Sequence, residues 1–139
     1  MIPDGFLATR MGGEFIRANG PLYLKKSDGR VWLGFRVEPR HCNPAQILHG
    51  GMMASFVDMM LPVCATHLER ALANRFMPTI SLQIDYLAPS PLGAWVEGEA
   101  QVLRSTASLV FVQGLVTAEG TPVARASGIF KVGPPVEQI

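Results

Sequence analysis

Between residues 31 and 37 apolar and polar positions alternate: Val31, Leu33, Phe35 and Val37 fall on one face, Trp32, Gly34 and Arg36 on the other. A period of two predicts a strand with one buried face. Residues 22–26 are also extended in character, and Ser27-Asp28-Gly29 between the two runs is a turn signal, so the pair reads as a hairpin. Residues 38–47, with Pro39, Asn43 and Pro44, form a loop, after which the period changes. From about residue 50 to residue 74, Met52, Met53, Phe56, Val57, Met60, Leu61, Val63, Cys64 and Leu68 populate almost every direction around a 3.6-residue helix. Such a helix must be wrapped by other elements, and Glu69, Arg70 and Arg75 return its far end to solvent. Pro62 withdraws the hydrogen bond that the carbonyl of residue 58 would accept, predicting a kink near Asp58.

Period two returns after Pro78, in residues 79–86, 95–103, 109–117 and 122–131, and Pro89, Pro91, Gly93, Gly120 and Pro122 mark short connections suited to antiparallel hairpins. Two strands, one long buried helix and four strands make an α+β order. An antiparallel sheet curled around a central helix satisfies it, whereas a parallel doubly wound sheet requires strands and helices to alternate.

The 139 residues fit a single domain, with residues 1–20 as an N-terminal extension, and 48% hydrophobic content supports a core. A charged fraction of 17% is low for a small monomer, which predicts that a second copy covers part of the surface. The net charge is +1 and the basic residues form no stripe, so nucleic acid is not an expected partner. Neither a signal peptide nor an apolar run of membrane-spanning length is read, so the expectation is a cytoplasmic protein with no membrane partner. Cys42 and Cys64 match no zinc or redox spacing and are expected as free thiols.

Asp58 is the one carboxylate in the apolar run 47–66, flanked by Phe56, Val57, Met59, Met60 and Leu61. Holding a carboxylate away from water costs several kcal/mol unless it is partnered, about what a chemical role would justify. Nine residues earlier stands His49-Gly50-Gly51, where the helix begins. First-turn amides of a helix lack intrahelical acceptors and lie at the positive end of its dipole, so amides around Gly50 and Gly51 can polarise a carbonyl. The plainer role for these glycines is to permit a tight turn into the helix.

Asn43, His49-Gly50-Gly51, Asp58, Thr79 and Asp85-Tyr86-Leu87-Ala88-Pro89 together make the chain, from about residue 20 to 133, resemble the hotdog-fold acyl-CoA thioesterases, particularly the branch related to the phenylacetate-degradation thioesterase. The resemblance implies hydrolysis of acyl-CoA or aryl-CoA thioesters, with no metal or organic cofactor, CoA being part of the substrate. It implies Asp58 as general base or nucleophile, Gly50 as carbonyl-polarising amide, and Asn43 and Thr79 as positioning groups, with His49 orienting the loop. Gly51 and Met52 are expected against the substrate. Relatives often carry a glycine and a basic residue for CoA where this chain has Arg104-Ser105-Thr106-Ala107-Ser108, which leaves Arg104, Arg125 or Lys131 for the phosphates. Met52, Met53, Phe56, Met59 and Met60 suit an acyl tunnel or simply the core. His41, His49 and Asp58 have no standard metal-ligand spacing.

On one regular helix His49 and Asp58 would stand about 13.5 Å apart along the axis and about half a turn around it. A two-fold dimer solves this by setting Asp58 of one chain against Gly50 and Asn43 of the other, as in the family resembled, and a dimer of dimers is a further expectation. Two rivals stand beside hydrolysis: a hotdog hydratase or dehydratase acting on enoyl thioesters, and a non-catalytic acyl-CoA or lipid-binding module.

Overall fold

In a computed structural model, which describes residues 1–136, the sheet is built from seven antiparallel strands in the order β1-β2-β3-β5-β6-β7-β4. The strands are β1 (Leu7–Ala8), β2 (Tyr23–Ser27), β3 (Arg30–Arg36), β4 (Thr79–Tyr86), β5 (Trp95–Ser105), β6 (Leu109–Ala118) and β7 (Thr121–Lys131). Helix α2 (Gly50–Leu68) packs across β3, β5, β6, β4 and β7, giving the expected helix wrapped in an antiparallel sheet. Val31, Leu33, Phe35 and Val37 are all buried, as their alternation requires.

Contact between helix and sheet is closest where three strands carry no side chain. A Cβ at Gly98 on β5 would stand 2.3 Å from Met60 Sδ, one at Gly114 on β6 2.7 Å from Met60 Cε, and one at Gly128 on β7 3.1 Å from Leu61 Cδ1. These glycines let Met60 and Leu61, both fully buried, reach the sheet backbone.

Several expectations are corrected. The helix ends at Leu68 instead of near residue 74: a 3₁₀ turn at Arg70–Leu72 follows, and burial of Leu72 draws the chain back onto the core. Pro62 lies inside α2, which runs through it as one helix of 19 residues. That helix is long and apolar enough to cross a bilayer, but Asp58 interrupts its apolar run and half of it is buried inside this chain, as in a core helix. The N-terminal extension is structured: β1 pairs with β2, and α1 (Gly13–Asn19) inserts Ile16 into the core. Nor is α2 wrapped all round. Ala54, Ser55, Asp58, Met59, Pro62 and Thr66 stay partly exposed and form one stripe at helical spacing, open on the side of β4.

Candidate functional site

The loop before α2 is fixed by side chains chosen for that job. Asn43 Oδ1 accepts from Ala45 N (3.0 Å) and Ile47 N (3.4 Å), an Asx-type turn, and its amide nitrogen has no partner among the described residues. His41 is buried against Phe35; its Nδ1 accepts from Glu38 N, its Nε2 lies 2.6 Å from Asn19 O, and its carbonyl accepts from His49 N. His41 thus ties the end of α1 to the start of α2, a positioning role the sequence reading gave it no part in.

His49 is the N-cap of α2, with Nδ1 accepting from Gly51 N at 2.8 Å and its carbonyl accepting from Met52 N and Met53 N. A Cβ at position 51 would come within 2.9 Å of that Nδ1, so glycine is needed for the cap. The cap engages one of the two amides expected to polarise a carbonyl. Among the described residues the Gly50 N–H alone in the first turn has no acceptor. Neither glycine has a positive φ, so a strained turn does not explain Gly50, where a Cβ would make only ordinary contact with the Tyr86 ring at 3.7 Å.

Asp58 lies on the open stripe of α2, and its position is not that of a charge sealed in an apolar core: it is partly exposed. Thr79 Oγ1 donates to Asp58 Oδ1 at 2.5 Å, and Oδ2 has no partner among the described residues. This contact depends on a β-bulge. Thr79 is paired with Phe130, and the register shifts before Ser81, paired with Ile129, so Ile80 is the extra residue. The bulge turns Thr79 to the same inner face as Leu82, Ile84 and Tyr86. Without it, Thr79 would point to the outer face with Gln83 and Asp85.

Tyr86, at the other end of β4, donates its hydroxyl to Gly50 O at 2.7 Å. The sequence reading sets Ile80, Leu82, Ile84 and Tyr86 in one phase; the bulge takes Ile80 out of it, and the bond of Tyr86 to the helix start was not readable. One chain therefore holds two separate clefts. The first, about 510 Å³, contains Asp58, Thr79, Met59, Pro62, Arg75 and Phe76. The second, about 440 Å³, contains Gly50, Tyr86, Met53, Leu87, Ser90 and Val123. Of the methionines proposed to meet substrate, Met53 and Met59 line these clefts, whereas Met52 is buried in the core beside neither. Asn43 and His49 border the second cleft in sequence without lining it.

Arg104 and Lys131 are exposed at the sheet end that carries Thr79, with Lys131 N donating to Pro78 O at 2.9 Å; neither lines a cleft. A larger concavity of about 570 Å³ lies on the outer sheet face around Asp85, Gln101, Gln113 and Arg125, remote from Asp58 and Gly50. Among the described residues no three of His, Cys, Asp and Glu come together as metal ligands. Cys64 is buried, and burial pushes its thiol up to about 12, which keeps it protonated and inert.

A family model described as the thioesterase superfamily matches residues 45–124. Human acyl-coenzyme A thioesterase 13 is 29% identical over 116 residues, 83% of this chain and 81% of its own length. The crystal structure of zebra fish thioesterase superfamily member 2 matches with a TM-score of 0.75 at 25% identity, covering 88% of this chain and 89% of that one. The PaaI protein of the E. coli phenylacetic acid degradation operon matches with a TM-score of 0.75 at 16% identity, covering 89% and 88%, a likeness of fold.

Proposed function

The chain belongs to the thioesterase superfamily, whose model matches more than half of it, and from that premise we propose that it hydrolyses acyl-CoA thioesters, aryl-CoA included, in a site shared between two copies. The C–S bond is cleaved to give a carboxylic acid and CoA thiol. The Gly50 N–H polarises the thioester carbonyl and receives the developing oxyanion. Asp58 Oδ2 either takes a proton from water or attacks the carbonyl itself, while Thr79 holds Oδ1 and fixes the carboxylate plane.

One observation carries this proposal: the carboxylate and the amide stand at opposite ends of an edge strand whose outer edge is free. Among the described residues strand β4 pairs only with β7. Its ends, Thr79 beside Asp58 and Tyr86 beside Gly50, are about 20 Å apart, too far for one thioester to touch both. An antiparallel pairing of β4 with its own copy, about a two-fold axis through Gln83, keeps inner face to inner face. Leu82 then meets the partner's Ile84. Because of the bulge at Ile80, Thr79 meets the partner's Tyr86. Asp58 of one chain is thereby brought to the helix start of the other, twice, and the open stripe of α2 gains cover.

Mixing two inactive variants tests the shared site. Asp58→Asn and Gly50→Leu are each expected to release no thiol from acyl-CoA, yet a mixed dimer contains one site with both wild-type halves, so activity returns on subunit exchange. Failure of exchanged, verified heterodimers to recover turnover would place both residues in one chain's site and overturn the proposal.

A further inference from the structure

We infer that Arg75 is an anion-binding residue of the Asp58 cleft, engaging either a phosphate of the CoA arm or a carboxylate on the acyl group. This rests on the proposed thioesterase activity for the substrate it names, and position 75 lies outside every motif that carries the family resemblance. Arg75 lines the same cleft of about 510 Å³ as Asp58 and Thr79. Its Nε donates to Gly133 O at 2.6 Å, which anchors the guanidinium, while its terminal nitrogens have no partner among the described residues. None of the five ion pairs among those residues involves it, so Arg75 and Asp58 share a cleft without neutralising each other. The remaining walls include Met59, Pro62, Val63, Phe76 and Met77, which lower the local dielectric and strengthen a charge-assisted bond.

Comparison with the second cleft gives the inference its direction. Among the described residues no charged side chain lines the Gly50 cleft; Ile47, Leu48, Met53, Leu87, Pro89 and Val123 make most of it. An uncharged acyl chain is suited to that side and an anionic group to the Arg75 side. Lys131 donates its backbone N–H to Pro78 O but does not line the Asp58 cleft, so among the described residues Arg75 is the one cationic residue that lines it. A planar guanidinium with free terminal donors matches the paired oxygens of a phosphate or a carboxylate.

Steady-state release of free thiol by wild type, Arg75→Gln and Arg75→Lys is measured with four substrates: octanoyl-CoA, octanoyl-pantetheine, adipoyl-CoA and adipoyl-pantetheine. If the anion is a CoA phosphate, Arg75→Gln raises KM for both CoA thioesters about tenfold or more and leaves both pantetheine thioesters unchanged. If it is an acyl carboxylate, KM rises for both adipoyl thioesters and for neither octanoyl one. Unchanged KM for all four, or an equal loss on all four, overturns the inference. Octanoyl-pantetheine turnover reports whether the site is folded. Should Arg75→Gln be insoluble, Arg75→Lys, which keeps the charge but not the fork, is read by the same substrate ratios with a rise of about threefold. Calorimetry with CoA and with adipate separates this inference from the proposed activity. If wild type releases no thiol from any thioester, the hydrolase proposal fails, and an Arg75→Gln loss of about tenfold in affinity for either probe upholds the anion site. Equal affinities overturn it.

Discussion

The two ends of strand β4 are built from opposite chemistry. At Thr79 a hydroxyl orients a carboxylate in a cleft that also holds a guanidinium. At Tyr86 a hydroxyl engages the first carbonyl of a helix, beside an uncommitted amide and walls without a charged side chain. In the proposed reading one end supplies a base and an anion site, the other a donor and an apolar slot. On that reading neither end is a thioesterase site alone, and pairing β4 with a second copy along its outer edge is the proposed device for bringing a copy of one to a copy of the other.

The largest expected effect breaks the Thr79 end. Asp58→Asn should lower kcat by about three orders of magnitude, within the usual range for losing a general base or more, while melting is unchanged or raised because a carboxylate kept for function is a cost to stability. A large fall in melting temperature with turnover retained would make Asp58 structural. Single-turnover hydrolysis in ¹⁸O-water sharpens the same point, since label in the Asp58 side chain marks the nucleophilic route. Thr79→Ala should cost about ten- to a hundredfold in kcat, the worth of a hydrogen bond to a charged group, and Thr79→Ser should restore most of it.

Smaller effects probe the edge between the two ends. In a Cys42→Ser background, Gln83→Cys should cross-link into a covalent dimer on oxidation, since directly opposed Cβ atoms at about 4.5–5.5 Å need little movement to form a disulfide. Gln83→Lys, which opposes like charges at the axis, should weaken the dimer by up to about 1 kcal/mol in sedimentation. Absence of the cross-link would reject a two-fold axis at Gln83. At the Tyr86 end, His49→Ala removes the cap of α2 and should lower stability by about 1 kcal/mol, roughly 4 °C in melting temperature. The smallest effect is none: with its thiol at about 12, Cys64 should resist iodoacetamide at pH 8 in the folded protein, while the partly exposed Cys42 is labelled, as peptide mass spectrometry will show.

Much of this molecule is legible without coordinates, because periodicity reports which face of an element is buried. Val31 to Val37 and the apolar half of α2 state their own environment, and with turn signals between them they order the elements and exclude a parallel sheet. What periodicity cannot report is a break in itself. The bulge at Ile80 turns Thr79 inward against the phase of its own strand, and nothing in the residues 79–86 announces it. The three sheet glycines under Met60 and Leu61 are equally silent, since a glycine needed for close packing is indistinguishable in sequence from one needed for a turn.

The sequence by itself determined the kinds of group available: one carboxylate in an apolar helix, a glycine pair at a helix start, a strand after Pro78. Only the tertiary structure decided which of them meet. It spent the Gly51 amide on His49, gave Thr79 to Asp58 and Tyr86 to Gly50, placed Arg75 in the carboxylate's cleft and left Met52 in the core. The physical reason is that residue identity and local pattern fix a side chain's chemistry and its face. Its partner across a fold depends on register and approach distance, which belong to the packed sheet and helix together.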